Sequence, residues 1–423
     1  MTFEREQAQI LRERLYESPT FMIVVAGPRQ VGKSTLVRQV LGERPVNACH
    51  FVSTDQPLTD IADPFTTSLP GTAALATQAI PGSQPTPEWL VQHWSQARTR
   101  ARMLQGDERF VLAIDEVQKI PRWSEVVKGL WDADRAEGLN LHVILLGSSP
   151  WLMQKGLTES LAGRYELIRM NHWSYSEMQE AFDFLLDEYL YFGGYPGGAH
   201  LIREERRWRE YVRDALIFPN IHKDILQMTR VDKPALLRNL FELGCAYSGQ
   251  IISYIKLQGQ LQGAGNTVTL AHYLDLLSQA GLLTGLQKYA VQKHRQRSSS
   301  PKLNVLNTAL ISVITGYTFA DARSDRSYWG RLVESAVGAH LCNTAPDNCQ
   351  IHYWRESPNE VDFVLTSGRK LVAIEVKSGT AFAPPKGLSV FAGKFTQARS
   401  IVVGEGGISL TEFLSRPTED WLE

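Results

Sequence analysis

Gly27-Pro28-Arg29-Gln30-Val31-Gly32-Lys33-Ser34 is the stretch on which the reading of this chain turns. It fits G-x-x-x-x-G-K-[ST] at every position, after the apolar run Phe21–Ala26 and before a helical pattern from Ser34 to Leu41. Buried strand, loop, then helix is the context that phosphate binding requires. Glycines let the backbone turn tightly, so that N–H groups face phosphate oxygens, and the helix N-terminus adds positive potential. Gly27, Pro28, Arg29, Gln30, Val31 and Gly32 are therefore expected to form a phosphate cradle that continues into Thr35. Lys33 is placed to reach the β- and γ-phosphates, and Ser34 to hold Mg²⁺. The expected cofactors are ATP and Mg²⁺.

Two further apolar runs extend the pattern. Phe110–Ile114 reads as a buried strand ending in Asp115-Glu116, where one acid can hold the metal and its neighbour can orient an attacking water. His142–Leu146 reads as another strand and ends in Gly147-Ser148-Ser149. Ser148 is a candidate sensor of the γ-phosphate, although serine is also a common turn former.

These residues resemble a prokaryotic family of AAA+-type ATPases. The likeness rests on the phosphate loop, Leu112–Lys119, Leu146–Ser149, Leu161-Ala-Gly-Arg164, His172–Glu177 and Gly193-Gly-Tyr-Pro196, and it covers nearly the whole chain. It implies that Arg164 is an arginine finger or sensor, acting within its own subunit or from a neighbouring copy in a homo-oligomer. A structural ion pair is the plain alternative. Three positions depart from the family pattern. His172 stands where proline is usual, Asn307 where aspartate is common, and Ser148 where classical sensors carry Asn or Thr.

Composition sets outer bounds. A chain of 423 residues exceeds one domain, and 43% hydrophobic residues suffice for several cores. A net charge of −1 argues against a generally basic surface but not against a local basic patch. Cys49, Cys245, Cys342 and Cys349 lack metal-ligand spacing and read as reduced thiols. The first residues carry no signal-peptide core, and no run of eighteen apolar residues occurs. A soluble cytoplasmic protein with no membrane partner is the expectation.

The pattern divides into four parts: an ATPase domain with a parallel sheet over 1–175, a helical connector or lid over 176–232, a winged helix over 233–310 and a nuclease-like α/β domain over 311–423. Pro57–Pro87, rich in Thr, Pro, Gly and Ala, reads as a surface excursion. Gly193–Gly198 reads as a hinge or a plain loop. Helices around Leu236–Ser248, Ile251–Leu257 and Thr267–Leu277 precede strands at Leu282–Tyr289 and Leu303–Leu306, the order of a winged helix. Lys293, Arg295 and Arg297 in the hairpin loop, with Lys288 and Lys302 beside them, are candidates for phosphate contact with nucleic acid, expected to be DNA. A solvated loop is the alternative, and winged helices also serve protein contacts.

The C-terminal part holds a second constellation. Val361–Leu365 and Leu371–Lys377 read as strands joined by Thr366–Lys370, with Glu375 and Lys377 on one face; if Ser367–Lys370 form a four-residue loop, Thr366 pairs with Leu371 and Asp362 lies opposite Glu375. Carboxylates roughly 5 Å apart would repel by ~3 kcal/mol at an effective dielectric near 20. Such a pair demands a metal or a proton. The arrangement resembles the PD-(D/E)xK nucleases of restriction-endonuclease-like fold, although Val361 replaces the proline before the first acid. That likeness implies a Mg²⁺ site at Asp362 and Glu375, completed by Glu334, with Lys377 as the catalytic lysine. The alternative is an inherited fold used for binding or assembly. Two functions remain open on these grounds: an ATP-driven enzyme acting on nucleic acid, or an ATP-dependent switch whose C-terminal half binds a protein partner.

Overall fold

The computed structural model describes residues 3–54, 85–104, 108–148, 153, 156–157, 160–225, 231–261, 263, 266–292, 299–379 and 386–423. Most of the excursion expected at Pro57–Pro87 lies outside these residues, as do Lys293, Arg295 and Arg297 of the hairpin loop. The chain forms two compact units, Met1–Met170 and Asn171–Glu423.

The first unit is a five-stranded parallel sheet flanked by helices. Its strands are β1 (Met22–Ala26), β2 (Cys49–Ser53), β3 (Phe110–Asp115), β4 (Leu141–Gly147) and β5 (Tyr165–Arg169), in the order β2-β3-β4-β1-β5. Every pairing is parallel. The central runs of β1 and β3 are apolar up to Asp115 because both sheet faces are covered there, whereas the edge strand β5 carries Glu166 and Arg169. Phe110, Leu112 and Ile114 pack with Trp94 and Trp131 on one side. Val111 and Ala113 pack with Leu36 and Val37 on the other. Among the helices are α1 (Gln7–Tyr16), α2 (Lys33–Gly42), α3 (Pro87–Met103) and α4 (Trp123–Glu137). Thr86 caps α3 and Pro87 opens it, after which Leu90, Trp94, Ala97 and Ala101 form its buried stripe. All strands run one way, so their C-terminal ends share one edge, the usual place for a ligand in such a sheet.

The second unit is built on a six-stranded mixed sheet. A capping box at Ser174 and Glu177 starts α5 (Tyr175–Phe182), and α6 (Leu186–Phe192) follows. Helices α7 (Pro234–Ala246), α8 (Tyr254–Gln260) and α9 (Thr267–Gln279) precede the antiparallel pair β6 (Leu283–Lys288) and β7 (Lys302–Val305). Next come α10 (Arg326–Thr344), β8 (Cys349–Glu356), β9 (Asn359–Ser367), β10 (Lys370–Lys377) and β11 (Arg399–Gly404). The strand order is β11-β10-β9-β8-β6-β7. The sheet therefore does not stop near residue 310, because β6 pairs in parallel with β8 through Gln287–His352 and Lys288–Tyr353.

Gly193 and Gly194, within the stretch read as a hinge or a plain loop, have a packing role. A Cβ on Gly193 would lie 2.0 Å from Asn307 Oδ1, and one on Gly194 would lie 2.2 Å from the Trp173 carbonyl oxygen. The backbone passes too closely for any side chain, and that packing requires the glycines. Asn307 Oδ1 accepts the Gly194 and Ala309 N–H groups, at 3.2 Å each. Asn307 Nδ2 lies 3.3 Å from His172 Nδ1, and His172 Nε2 lies 2.7 Å from the Gly281 carbonyl oxygen. Two of the family departures, His172 and Asn307, thus meet as partners.

Two other buried histidines make acid sensitivity measurable. Burial pushes the His142 and His340 pKa values down to about 4, against single backbone carbonyl bonds that pull them up. Unfolded, each would take up its proton near pH 6.5. The unfolded state therefore binds more protons as pH falls from about 6.5 to 4, and stability is lost across that window. The expected cost is roughly 3 kcal/mol per histidine by the lower limit. Calorimetry should show melting temperatures falling over that interval; constant values would remove the buried neutral histidines as its cause.

Candidate functional site

The phosphate loop leaves β1 at its C-terminal end. Gly27 must be glycine, since a Cβ there would sit 1.9 Å from the Met170 carbonyl oxygen. Gln30 at φ 61° and Gly32 at φ 92° turn the chain through left-handed backbone into α2. Pro28 and Val31 are buried, Arg29 is half-buried, and Gln30 and Thr35 are exposed. Lys33 folds back over the loop, donating from Nζ to the Gly27 and Pro28 carbonyl oxygens at 3.0 and 2.7 Å.

Ser34 Oγ donates to Asp115 Oδ2 at 2.6 Å, joining the start of α2 to the end of β3. Strand β4 lies between β1 and β3, so the acid pair reaches the loop across an intervening strand. Burial pushes the Asp115 pKa up, the Ser34 hydrogen bond pulls it down, and the neighbouring Glu116 adds to the rise. A hydroxyl and a buried carboxylate at this distance suit Mg²⁺, whose charge would offset the cost of burying the acid.

Glu116 has a left-handed backbone, φ 55°. Its Oε2 accepts from Ser148 Oγ at 2.8 Å and also from Gln118 Nε2. Ser148 thus holds the second acid. Gln118 went unassigned in the sequence, although it stands two residues beyond that acid. Arg164 makes a two-pronged pair with Asp132 of α4, Nε to Oδ1 at 2.7 Å and Nη2 to Oδ2 at 3.0 Å.

In the second unit, Glu334 of α10, Asp362 of β9, and Glu375 and Lys377 of β10 do gather. Thr366 pairs with Leu371 as expected, and the ladder leads Asp362 towards Glu375. The cation at these acids is Lys302, and its expected phosphate contact is corrected. Lys302 is 0% exposed, so it cannot reach a nucleic-acid backbone. Its Nζ lies 2.5 Å from Glu334 Oε1, 3.1 Å from the Asp362 carbonyl oxygen and 3.4 Å from Asp362 Oδ1. Burial disfavours the ammonium, but Asp362 and Glu334 outweigh it and raise the Lys302 pKa. Burial likewise raises Glu334; Lys302 opposes that rise and Asp362 adds to it. Lys377 Nζ lies 2.8 Å from Glu375 Oε1. A buried ammonium between two of the three carboxylates does not fit the Mg²⁺ site expected there.

Residues 20–179 match the AAA domain family. Residues 183–321 and 329–412 match two domains of unknown function, DUF8612 and DUF4143. The Walker-type ATPase PABY2304 of Pyrococcus abyssi is similar in structure, with TM-score 0.51 and 17% identity over 74% of this chain and 96% of that one. At that identity the likeness shows the fold alone. The Aeropyrum pernix ORC1 protein in complex with DNA aligns at TM-score 0.29 and 12% identity, covering 75% of this chain and 93% of that chain. AMPPCP-bound DnaA from Aquifex aeolicus aligns at 0.32 and 14%, covering 66% and 89%. Both scores are too low to carry an argument. No curated protein matches the sequence. The phosphate loop and the acid pair at the end of β3 both fall within the residues that match the AAA domain model, and together they support an AAA+-type P-loop ATPase domain in the N-terminal part of the chain.

Proposed function

We propose that this chain hydrolyses MgATP and uses the cycle to change how its C-terminal half engages DNA. The observation that carries the ATPase part is the 2.6 Å bond between Ser34 and Asp115, with Glu116 held alongside by Ser148 and Gln118. MgATP, when bound, supplies the transferable phosphoryl group and a cation that spreads its charge. Lys33 would exchange its loop carbonyls for phosphate oxygens, and the backbone of Gly27–Gly32 would line the rest of the cradle. Ser34 and Asp115 would hold the metal. Glu116 orients the attacking water and accepts its proton at the carboxylate. Arg164 would act after leaving Asp132, from its own subunit or a neighbouring copy.

Support for DNA engagement comes from element order, α7, α8 and α9 followed by β6 and β7, and from the basic residues of the hairpin loop. One observation favours a protein partner instead. Helix α9, in the place of a recognition helix, carries no Lys or Arg and exposes Val268, while α8 exposes Ile255. A cytoplasmic setting belongs to the proposal and agrees with four free cysteines. No described helix is long and apolar enough to cross a membrane.

Fluorescence anisotropy of labelled duplex DNA with the full chain tests this, with and without ATP, between about 50 and 200 mM salt. Salt-sensitive binding that changes several-fold with nucleotide is expected. No binding in any nucleotide state would overturn DNA engagement and favour the protein partner.

A further inference from the structure

The acid cluster of the second unit contains its own cation. We propose that the Lys302 ammonium is the resident cation of Glu334 and Asp362, with Lys377 serving Glu375, making the cluster an internal ion network and not a divalent-metal site. This goes beyond the ATPase proposal and does not depend on it.

Hydrogen-bond valence carries the inference. An ammonium has three donors, and Lys302 Nζ has three oxygens within reach: Glu334 Oε1, the Asp362 carbonyl and Asp362 Oδ1. The Phe363 ring lies beneath it, with its centroid 4.8 Å from Nζ, a favourable place for a cation. Asp362 is occupied from both sides, because its Oδ2 accepts the Val376 N–H at 2.8 Å. Glu375 Oε1 faces the Lys377 ammonium, which leaves Oε2 as the cluster's buried oxygen without a hydrogen-bond partner. A divalent ion would have to displace Lys302 from Glu334 and Asp362 together. The displaced ammonium would then be stranded, since pairing of β7 with β6 fixes the Lys302 backbone and the residue is 0% exposed. A buried charge without partners is strongly disfavoured.

The charge pattern agrees. Facing carboxylates require a counter-charge or a proton, and here one lysine enters from the hairpin strand while another comes from β10. Sequence separation hides the first: Lys302 is 60 residues from Asp362 along the chain.

Mn²⁺ binding to the nucleotide-free full chain tests the proposal, read by the loss of the free-ion electron paramagnetic resonance signal. Wild type and Asp362→Asn are expected to bind Mn²⁺ alike. A stoichiometric site in wild type that Asp362→Asn abolishes would overturn the proposal. Lys302→Ala opens the cation position, so it should gain one Mn²⁺ site at least tenfold tighter than any wild-type site in this unit. Asp362→Asn in the Lys302→Ala background should remove it. A folded Lys302→Ala protein that gains no site would also overturn the proposal. Should Lys302→Ala fail to fold with or without Mn²⁺, the comparison of wild type with Asp362→Asn decides alone.

Discussion

Replacing Lys33 by alanine is expected to abolish ATP binding at working concentrations. Wild-type Lys33 is 6% exposed, and its ammonium stands over the loop, bonded to two backbone carbonyls. On nucleotide binding it would exchange those neutral acceptors for phosphate oxygens. A charge-assisted hydrogen bond contributes about 1.5–3 kcal/mol, so two such bonds amount to ~3–6 kcal/mol. That corresponds to a loss of roughly 10²–10⁴ in affinity. Alanine also removes a donor from the Gly27 and Pro28 carbonyls, so thermal melting must accompany the titration to separate lost binding from lost folding. A folded variant with unchanged affinity for a fluorescent ATP analogue would remove Lys33 from the site.

Glu116→Gln is expected to leave ATP binding near wild type while turnover falls at least ~10-fold, with ~10²–10⁴ the usual range for a general base. Glutamine keeps the shape and a carbonyl oxygen that can still accept from Ser148, so the surroundings have little reason to rearrange. What it loses is the capacity to accept a proton. Single-turnover hydrolysis at saturating ATP isolates the chemical step, and wild-type rates there would take Glu116 out of the mechanism. The Ser148 and Gln118 bonds both end on Glu116 Oε2, which fixes the carboxylate's direction before any water arrives.

The nucleotide half was legible because its signals are local. A loop of eight residues, an apolar run and an acid pair each carry their meaning within one element, and both-face burial makes β1, and β3 up to Asp115, apolar without interruption. What lay hidden depends on partners distant in the chain. Lys302 read as part of a basic loop, because nothing near it in sequence shows that Glu334 and Asp362 close around it. Gly193-Gly194 read as hinge or loop, since composition cannot reveal Asn307 and Trp173 pressed against that backbone. His172 and Asn307 looked like separate departures. Together they form one arrangement: if the imidazole donates from Nε2 to Gly281, its Nδ1 becomes an acceptor, which an amide can serve with a proton and a carboxylate cannot.

The shared strands of the second unit also decide what a cut between its two parts would leave behind. A fragment ending at residue 310 would strip β8 from β6, baring a row of N–H and C=O groups open to pairing with other chains. It would also keep the Lys302 charge while discarding both carboxylates that compensate it. A fragment beginning at residue 311 would inherit the acids without their lysine. Cut at that seam, each half would lose strand-pairing or ion-pair partners that the other supplies, so neither would keep its charges balanced by itself.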